Sequence, residues 1–247
     1  MWFLTNAWIK KFNSSGSRQW SKSSGLSGKE VYGYGIKSDS TGNLFTTGKT
    51  NGNLNSVTNA GGWDLYIEKF ITSGTKQWTK LIGSSSNEVG NRINIDSSGN
   101  IYVTGYTEGI VDGGIFKGSR DLVVAKFNSS GTQQWVRQLG DTYSEGKDVA
   151  TDSSGNVYIV GYANGDFDGN SNIGLTDIII AKYNSSGTKQ WSYQYGTTFY
   201  DYGTGITIDS SDNIYITGYT QGGLYGNTNA GGYDIFVIKL NTSGIIQ

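Results

Sequence analysis

Apolar and polar positions in this chain follow a short rhythm, and the rhythm itself repeats. Runs rich in Val, Ile, Tyr and Thr alternate with clusters of Ser, Gly, Asn and Asp. Runs of that kind, bounded by turn residues, predict β-strands joined by hairpins. Between Gly146 and Gly196 four of them follow one another: Gly146–Asp152, Asn156–Ala163, Asp177–Asn184 and Thr188–Gly196. The turns Ser153-Ser154-Gly155 and Ser185-Ser186-Gly187 close two hairpins, with Gly supplying the positive φ that a tight bulged hairpin needs. No stretch sustains the spacing of an amphipathic helix, which argues against a helical solenoid.

The four-strand unit recurs along the whole chain. Gln-Trp pairs end at Trp20, Trp78, Trp135 and Trp191, which stand 58, 57 and 56 residues apart. Four antiparallel strands at a period of roughly 40–60 residues predict the blades of a β-propeller. The chain is therefore read as one all-β domain of four-stranded antiparallel blades, about 57 residues each, with repeats near 26–82, 83–139, 140–196 and 197–247. Ile178, Ile180, Val157, Trp191 and their counterparts are its expected packing residues.

Third strands number five: Ala7–Asn13, Asp64–Ile71, Asp121–Asn128, Asp177–Asn184 and Asp234–Asn241. The simplest closure has residues 1–25, through Ser17–Ser21, complete the last blade, giving four blades and a spare third strand. A five-bladed ring is the competitor, as is membership of a larger or oligomeric ring, because unpaired strand edges favour completion in trans.

The pattern GxxIxxDSSGNxYxTGYT followed by DxxxxKxNSSGTxQW resembles the SBBP family of bacterial and archaeal β-propeller repeats. Its closest copy here runs Gly203–Thr220 and Asp234–Gly244, departing at Asp212 and Thr242. The resemblance covers essentially the whole chain. It implies a propeller in a secreted or surface protein, often as one module among several, with no shared catalytic residues.

Composition narrows the chemistry. The chain has 38 Gly, is 13% aromatic, and balances 19 Lys and Arg against 20 Asp and Glu. That balance gives no electrostatic reason to expect nucleic acid or an anionic membrane as partner. There is no His, Cys or Pro, so Ser-His-Asp and Cys-His catalysis, disulfides and thiolate metal sites are excluded. No apolar run is long enough to span a bilayer, and the N-terminal MWFLTNAWIKKFN reads as part of the repeat rather than as a signal peptide.

Acids that recur in every repeat read as structural. Asp39, Asp96, Asp152 and Asp209 open Ser-rich turns, where Asp caps backbone N–H groups. Asp64, Asp121, Asp177 and Asp234 begin third strands, and Lys69, Lys126, Lys182 and Lys239 recur in the same way. Catalysis needs one asymmetric constellation rather than four copies. The repeats differ in the loops between second and third strands, all expected on one face of the ring. There Asn59, Trp63, Tyr225, Asn227, Asn229 and Tyr233 form an aromatic-and-amide mixture of the sort sugar sites use, although such aromatics also cap blade cores. Asp166, Asp168, Asn170 and Asn172 place oxygens at alternate positions, as a calcium loop does. An ordinary polar turn explains those four residues more simply.

These features lead to an expected non-enzymatic extracellular binding or adhesion module for a glycan or a protein, with no required cofactor. The alternative is a self-assembling scaffold joined by its terminal strands. A glycosidase would have to draw two carboxylates from Glu108, Asp112, Asp141, Asp166 and Asp168.

Overall fold

The structure, a computed structural model, describes residues 6–25 and 28–247, and within them the four-strand unit is plain. A hairpin of β1 (Ala7–Phe12) and β2 (Arg18–Ser24) comes first. Three complete antiparallel blades follow. They are β3 (Val31–Ser38), β4 (Leu44–Thr50), β5 (Asp64–Phe70) and β6 (Lys76–Ile82); β7 (Glu88–Ile95), β8 (Ile101–Thr107), β9 (Asp121–Phe127) and β10 (Gln133–Leu139); and β11 (Ser144–Thr151), β12 (Val157–Ala163), β13 (Asp177–Tyr183) and β14 (Lys189–Tyr195). A three-stranded sheet of β15 (Asp201–Ile208), β16 (Ile214–Thr220) and β17 (Asp234–Leu240) ends the series. First strands of successive blades lie against one another, β3 on β7, β7 on β11 and β11 on β15, so they are innermost. The protein is a β-propeller of tandem four-stranded blades.

The core lies between blades rather than within them. In β9, Leu122 and Val124 point to the following blade, while Val123, Ala125 and Phe127 point to the preceding one. Both faces of the strand are buried, so it reads as a continuous apolar run rather than an alternation. Among the described residues β17 packs on the preceding blade, and there the alternation returns: Ile238 and Leu240 are buried, Ile235 and Val237 exposed.

The recurring polar residues hold this frame. Asp39, Asp96, Asp152 and Asp209 each accept two backbone N–H groups from their own turns, at 2.8–3.0 Å. Asp212, standing where the other turns have Gly, adopts φ 60° and accepts the Ser153 N–H of the preceding blade at 3.1 Å. Each third-strand lysine before Lys239 reaches the next hairpin: Lys11 donates to the Thr72 carbonyl, Lys69 to Ser129, Lys126 to Ser185 and Lys182 to Thr242, at 3.0–3.2 Å. The Gln-Trp tryptophans act beside them, Trp20 and Trp135 donating to the carbonyls of Thr72 and Ser185.

Ser17–Ser21, expected to complete the last blade, falls mostly in β2, which pairs with β1. The reason is local. Asn13 Oδ1 accepts the N–H groups of Ser15 and Ser17 at 3.1 and 2.8 Å, closing the turn that returns β2 onto β1. Among the described residues, the outer edge of β17 carries the short bridge from Leu240 to Ile246.

Candidate functional site

The loop between second and third strands is more regular than its sequence. In each repeat an apolar residue turns inward: Leu54, Val111, Phe167 and Leu224, all buried. The next residue takes a left-handed conformation, Asn55, Asp112, Asp168 and Tyr225 having φ near 50°. In the third repeat Gly169 is also at positive φ, and Phe167 bridges to Asn170, which is a type I′ turn.

That turn accounts for the calcium-like spacing. Asp166 accepts the Asn172 N–H at 2.8 Å. Asp168 accepts Lys189 Nζ and Ser192 Oγ. Asn170 Nδ2 donates to the Phe167 carbonyl at 3.0 Å, and Asn172 Oδ1 accepts Gln194 Nε2 at 3.2 Å. Each carboxylate is thus engaged by donors of the chain itself, and the polar-turn reading describes the geometry.

The amide candidates are likewise spent on the backbone. Asn59 Nδ2 donates to the carbonyls of Thr50 and Gly62, and its Oδ1 accepts the Gly61 N–H. Asn229 repeats the pattern with Thr220, Gly232 and Gly231, and Asn227 Nδ2 holds the Leu224 carbonyl at 3.0 Å. Tyr225 lies 6.4 Å from the Tyr195 ring, at the outer strand. Trp63 and Tyr233 are placed differently, one residue before the third strand, where the other repeats have Arg120 and Thr176.

Beneath these loops the third-strand aspartates act as anchors: Asp64 accepts the Ala60 N–H at 2.8 Å, and Asp177 the Ile173 N–H at 2.7 Å. The other oxygen of Asp64 is buried without a hydrogen bond among the described residues. Burial pushes this carboxyl up to about 6, and neighbouring Glu88 adds to the rise against the Ala60 N–H. A folded-state value above the unfolded one means that the native state binds the proton more tightly. Stability therefore falls as pH rises from ~4 towards about 6. Asp64→Asn cannot titrate, so its stability relative to the parent is expected to improve over that window in urea unfolding at pH 4 and pH 7; a constant difference would refute the assignment.

At the inner strands, recurring tyrosines meet side chains that differ from repeat to repeat. Each innermost strand carries a β-bulge, its register shifting between Gly33 and Gly35, Gly90 and Arg92, Gly146 and Asp148, and Gly203 and Gly205. Bulges re-aim side chains next to functional surfaces. Just before each bulge lies a cross-strand pair: Tyr32 with Lys49, Val89 with Tyr106, Glu145 with Tyr162, and Tyr202 with Tyr219. With the residue preceding the third strand, these pairs form a rim around the inner strands.

The rim is continuous. Trp63 packs edge-on to Tyr32 at 5.6 Å, with Lys49 Nζ 4.5 Å from the Trp63 ring. The Trp63 N–H donates to Asn87, whose Nδ2 holds Glu108 at 2.7 Å. Arg120 pairs with Glu108 at 2.7 Å and with Glu145 at 3.2 Å, and its guanidinium lies 3.7 Å from the Tyr106 ring centre. Tyr143, Tyr162, Tyr202, Tyr219 and Tyr233 then run from ring to ring at 4.8–6.2 Å. Burial alone would push the Glu145 carboxyl up, but Lys147, Asn91 and Tyr162 hold it below the ordinary glutamate range. Burial raises the Tyr106 hydroxyl to about 12.

Of the five carboxylates considered for glycoside hydrolysis, Glu108 is paired with Arg120, Asp141 with Lys117 at 2.8 Å and Asp168 with Lys189. Sequence reasoning singled out neither Arg120 nor Tyr202 and Tyr219, because they lie in or beside strands. Aligning the repeats on Trp20, Trp78, Trp135 and Trp191 and asking which positions differ would have pointed to Arg120 and Tyr202.

Antiparallel blades in tandem, their first strands innermost, define a repeat β-propeller. The sequence profile of the β-propeller repeat SBBP matches residues 19–55, 77–110, 134–168 and 190–226, and the chain belongs to that family. Regulatory protein FlaEY of Caulobacter vibrioides is 25% identical over 146 residues, which span 54% of this chain and 15% of that protein. An uncharacterized WD repeat-containing protein of Acanthamoeba polyphaga mimivirus is 26% identical over 207 residues, covering 67% of this chain and 14% of its own length. The chain thus spans about one seventh of the length of these relatives. Among solved structures, a protein of unknown function from Bacteroides caccae superposes with a TM-score of 0.51 at 12% identity, over 96% of this chain and 72% of that one. No described helix is long and apolar enough to cross a membrane.

Proposed function

We propose that the chain is a non-enzymatic binding module that takes a glycan at the rim of the inner strands. One observation carries the reading: aromatic rings and paired charges gather at this rim, the recurring Tyr106, Tyr162 and Tyr219 meeting residues particular to single repeats such as Trp63, Arg120 and Glu145. Tyr and Trp rings stack on the apolar faces of sugars, and Arg120, Lys49 and Lys147 supply donors for hydroxyl or carboxylate groups. A rigid scaffold presenting a variable surface is the usual division of labour in binding proteins. Display outside the cell, as the family resemblance implies, accords with a glycan ligand.

The test is a glycan-array screen of the purified chain, with calcium and with a chelator, followed by titration of variants. Trp63→Ala and Tyr233→Ala are each expected to weaken binding by about tenfold, since a stacked ring contributes roughly 1 kcal/mol or more. Both variants should keep the parent's unfolding midpoint within a few degrees, because neither ring is in a blade core. Binding untouched by both substitutions would remove the rim as the site, and a blank array would turn the proposal towards a protein ligand.

A further inference from the structure

Two neighbouring blades each bring a cation and an aromatic ring together at the rim, with the two residue types exchanged. In the second blade, Tyr106 of β8 faces Arg120, the residue before β9, with the guanidinium 3.7 Å from the ring centre. At the equivalent positions of the first blade, Lys49 of β4 faces Trp63, the residue before β5, with Nζ 4.5 Å from the ring centre. Tyr32, the cross-strand partner of Lys49, has its own ring centre 5.3 Å from the same ammonium. Tyr34 stacks beside Tyr32 at 6.5 Å and is 42% exposed.

The two cations are balanced differently. Arg120 is neutralised by Glu108, the residue after β8, and by Glu145 of the following blade. Lys147 also pairs with Glu145. In the first blade and its neighbour, the positions equivalent to Glu108 and Glu145 hold Asn51 and Val89. Glu30, which enters the first blade, accepts the Tyr32 hydroxyl at 3.4 Å and makes no ion pair with Lys49. Among the described residues no carboxylate oxygen lies within 4.0 Å of Lys49 Nζ, and residues 1–5, 26 and 27 include no Asp or Glu. Both blades that surround Lys49 are complete four-stranded sheets. An ammonium held by rings alone is held weakly at a partly exposed site, and it keeps N–H donors for an incoming anion.

We propose, resting on the rim as the glycan site, that the glycan is acidic and that Lys49 receives the carboxylate of a uronic acid whose ring lies against Trp63 and Tyr32. A sugar ring covers an aromatic face through its C–H groups and carries the carboxylate at its edge. Rings and ammonium side by side therefore read both parts of one sugar residue. Arg120 and Lys147 already have carboxylate partners, which leaves them as donors to hydroxyls. The net charge of −1 gives no general attraction for anions, so the preference belongs to this blade.

Calorimetric titration with oligomers of galacturonate, glucuronate, mannuronate and guluronate tests this, each beside the same oligomer with its carboxyl groups reduced to alcohols. The parent is expected to bind at least one uronate about tenfold more tightly than its reduced form, the range of a charged hydrogen bond. Lys49→Gln is expected to bind the two forms alike, and Lys49→Arg to keep the preference. Lys10→Gln removes the same charge from an exposed position of β1 and should also keep it. Circular dichroism checks that each variant folds. A parent that binds no uronate, or binds both forms equally, overturns the proposal, as does a preference that survives Lys49→Gln. The rim itself is judged separately. Equal binding of both forms that Trp63→Ala weakens would leave the rim as a site for neutral sugars, whereas binding indifferent to Trp63→Ala and Tyr233→Ala would remove it.

Discussion

Replacing Gly161 with alanine is expected to unfold the chain or to remove most of its stability. Gly161 lies in β12 directly opposite Gly146 of β11, and a Cβ there would stand 1.9 Å from the Glu145 carbonyl oxygen. The obstructing atoms are backbone on both sides, Glu145 and Gly146, so no side chain can swing away. The strands would have to part, in a sheet packed on both faces. Gly48, Gly105 and Gly218 meet the same obstacle at 1.8 Å, which shows that the close approach belongs to the repeat. A clash of this kind belongs in the tail of mutational effects, more than about 4 kcal/mol, against a total stability of roughly 5–15 kcal/mol. Gly169→Ala is the control: its φ of 81° disfavours alanine, yet nothing lies within 4 Å of the new methyl. It should cost about 1 kcal/mol. Urea unfolding of the two variants decides the matter. If Gly161→Ala lies within 1 kcal/mol of Gly169→Ala, the strand pairing described for β11 and β12 is wrong.

Trp135→Ala is expected to cost about 3–5 kcal/mol, the range for deleting a large buried aromatic side chain. Trp135 is 6% exposed and packs against Tyr102 and Tyr183 at 6.3 and 6.2 Å. Its ring covers Gly187 of the next blade, and its Nε1 donates to the Ser185 carbonyl at 3.2 Å. Truncation would therefore empty a space between two blades and take from the Ser185 carbonyl one of its two donors, leaving Lys126. Trp63→Ala removes the same side chain at the rim and should cost no more than about 1 kcal/mol. Thermal unfolding separates them, with Trp135→Ala lowering the midpoint far more. Equal shifts would mean that the Gln-Trp tryptophans do not form the junctions.

The frame of this molecule was legible because few interactions build it and each recurs. Ser-Gly turns, Asp caps and doubly buried third strands leave the same letters in each repeat, so spacing alone located the strands. The loop turns were obscured because a type I′ turn needs only an inward apolar residue and a pair tolerating positive φ. The inward residue itself varies, as Leu54, Val111, Phe167 and Leu224, and the Gly two residues on, at Gly113, Gly169 and Gly226, is replaced by Ser56 in the first repeat. Asp166 to Asn172 consequently resembled a cation loop, although the alternate oxygens serve its own backbone and neighbours. The amides Asn59 and Asn229 likewise bond to their own loops, since the groups that bind sugars also close loops. The partner of β2 was decided by its own tight turn, a local effect that a count of strands does not weigh. The rim was hidden within strands, where a Tyr reads as packing until the bulge at Gly33–Gly35 and its counterparts turn the chain.

Because each junction draws its two halves from consecutive repeats, the natural unit of insertion and deletion here is one full period, whatever its starting point. Removing residues 83–139 would bring Lys69 opposite the Ser185 carbonyl and the Trp78 ring over Gly187, restoring in kind the contacts it severed. A gene for such a chain can lengthen or shorten by unequal recombination without redesigning any surface. Only the rim would change, its order of side chains reshuffled while the scaffold stays whole.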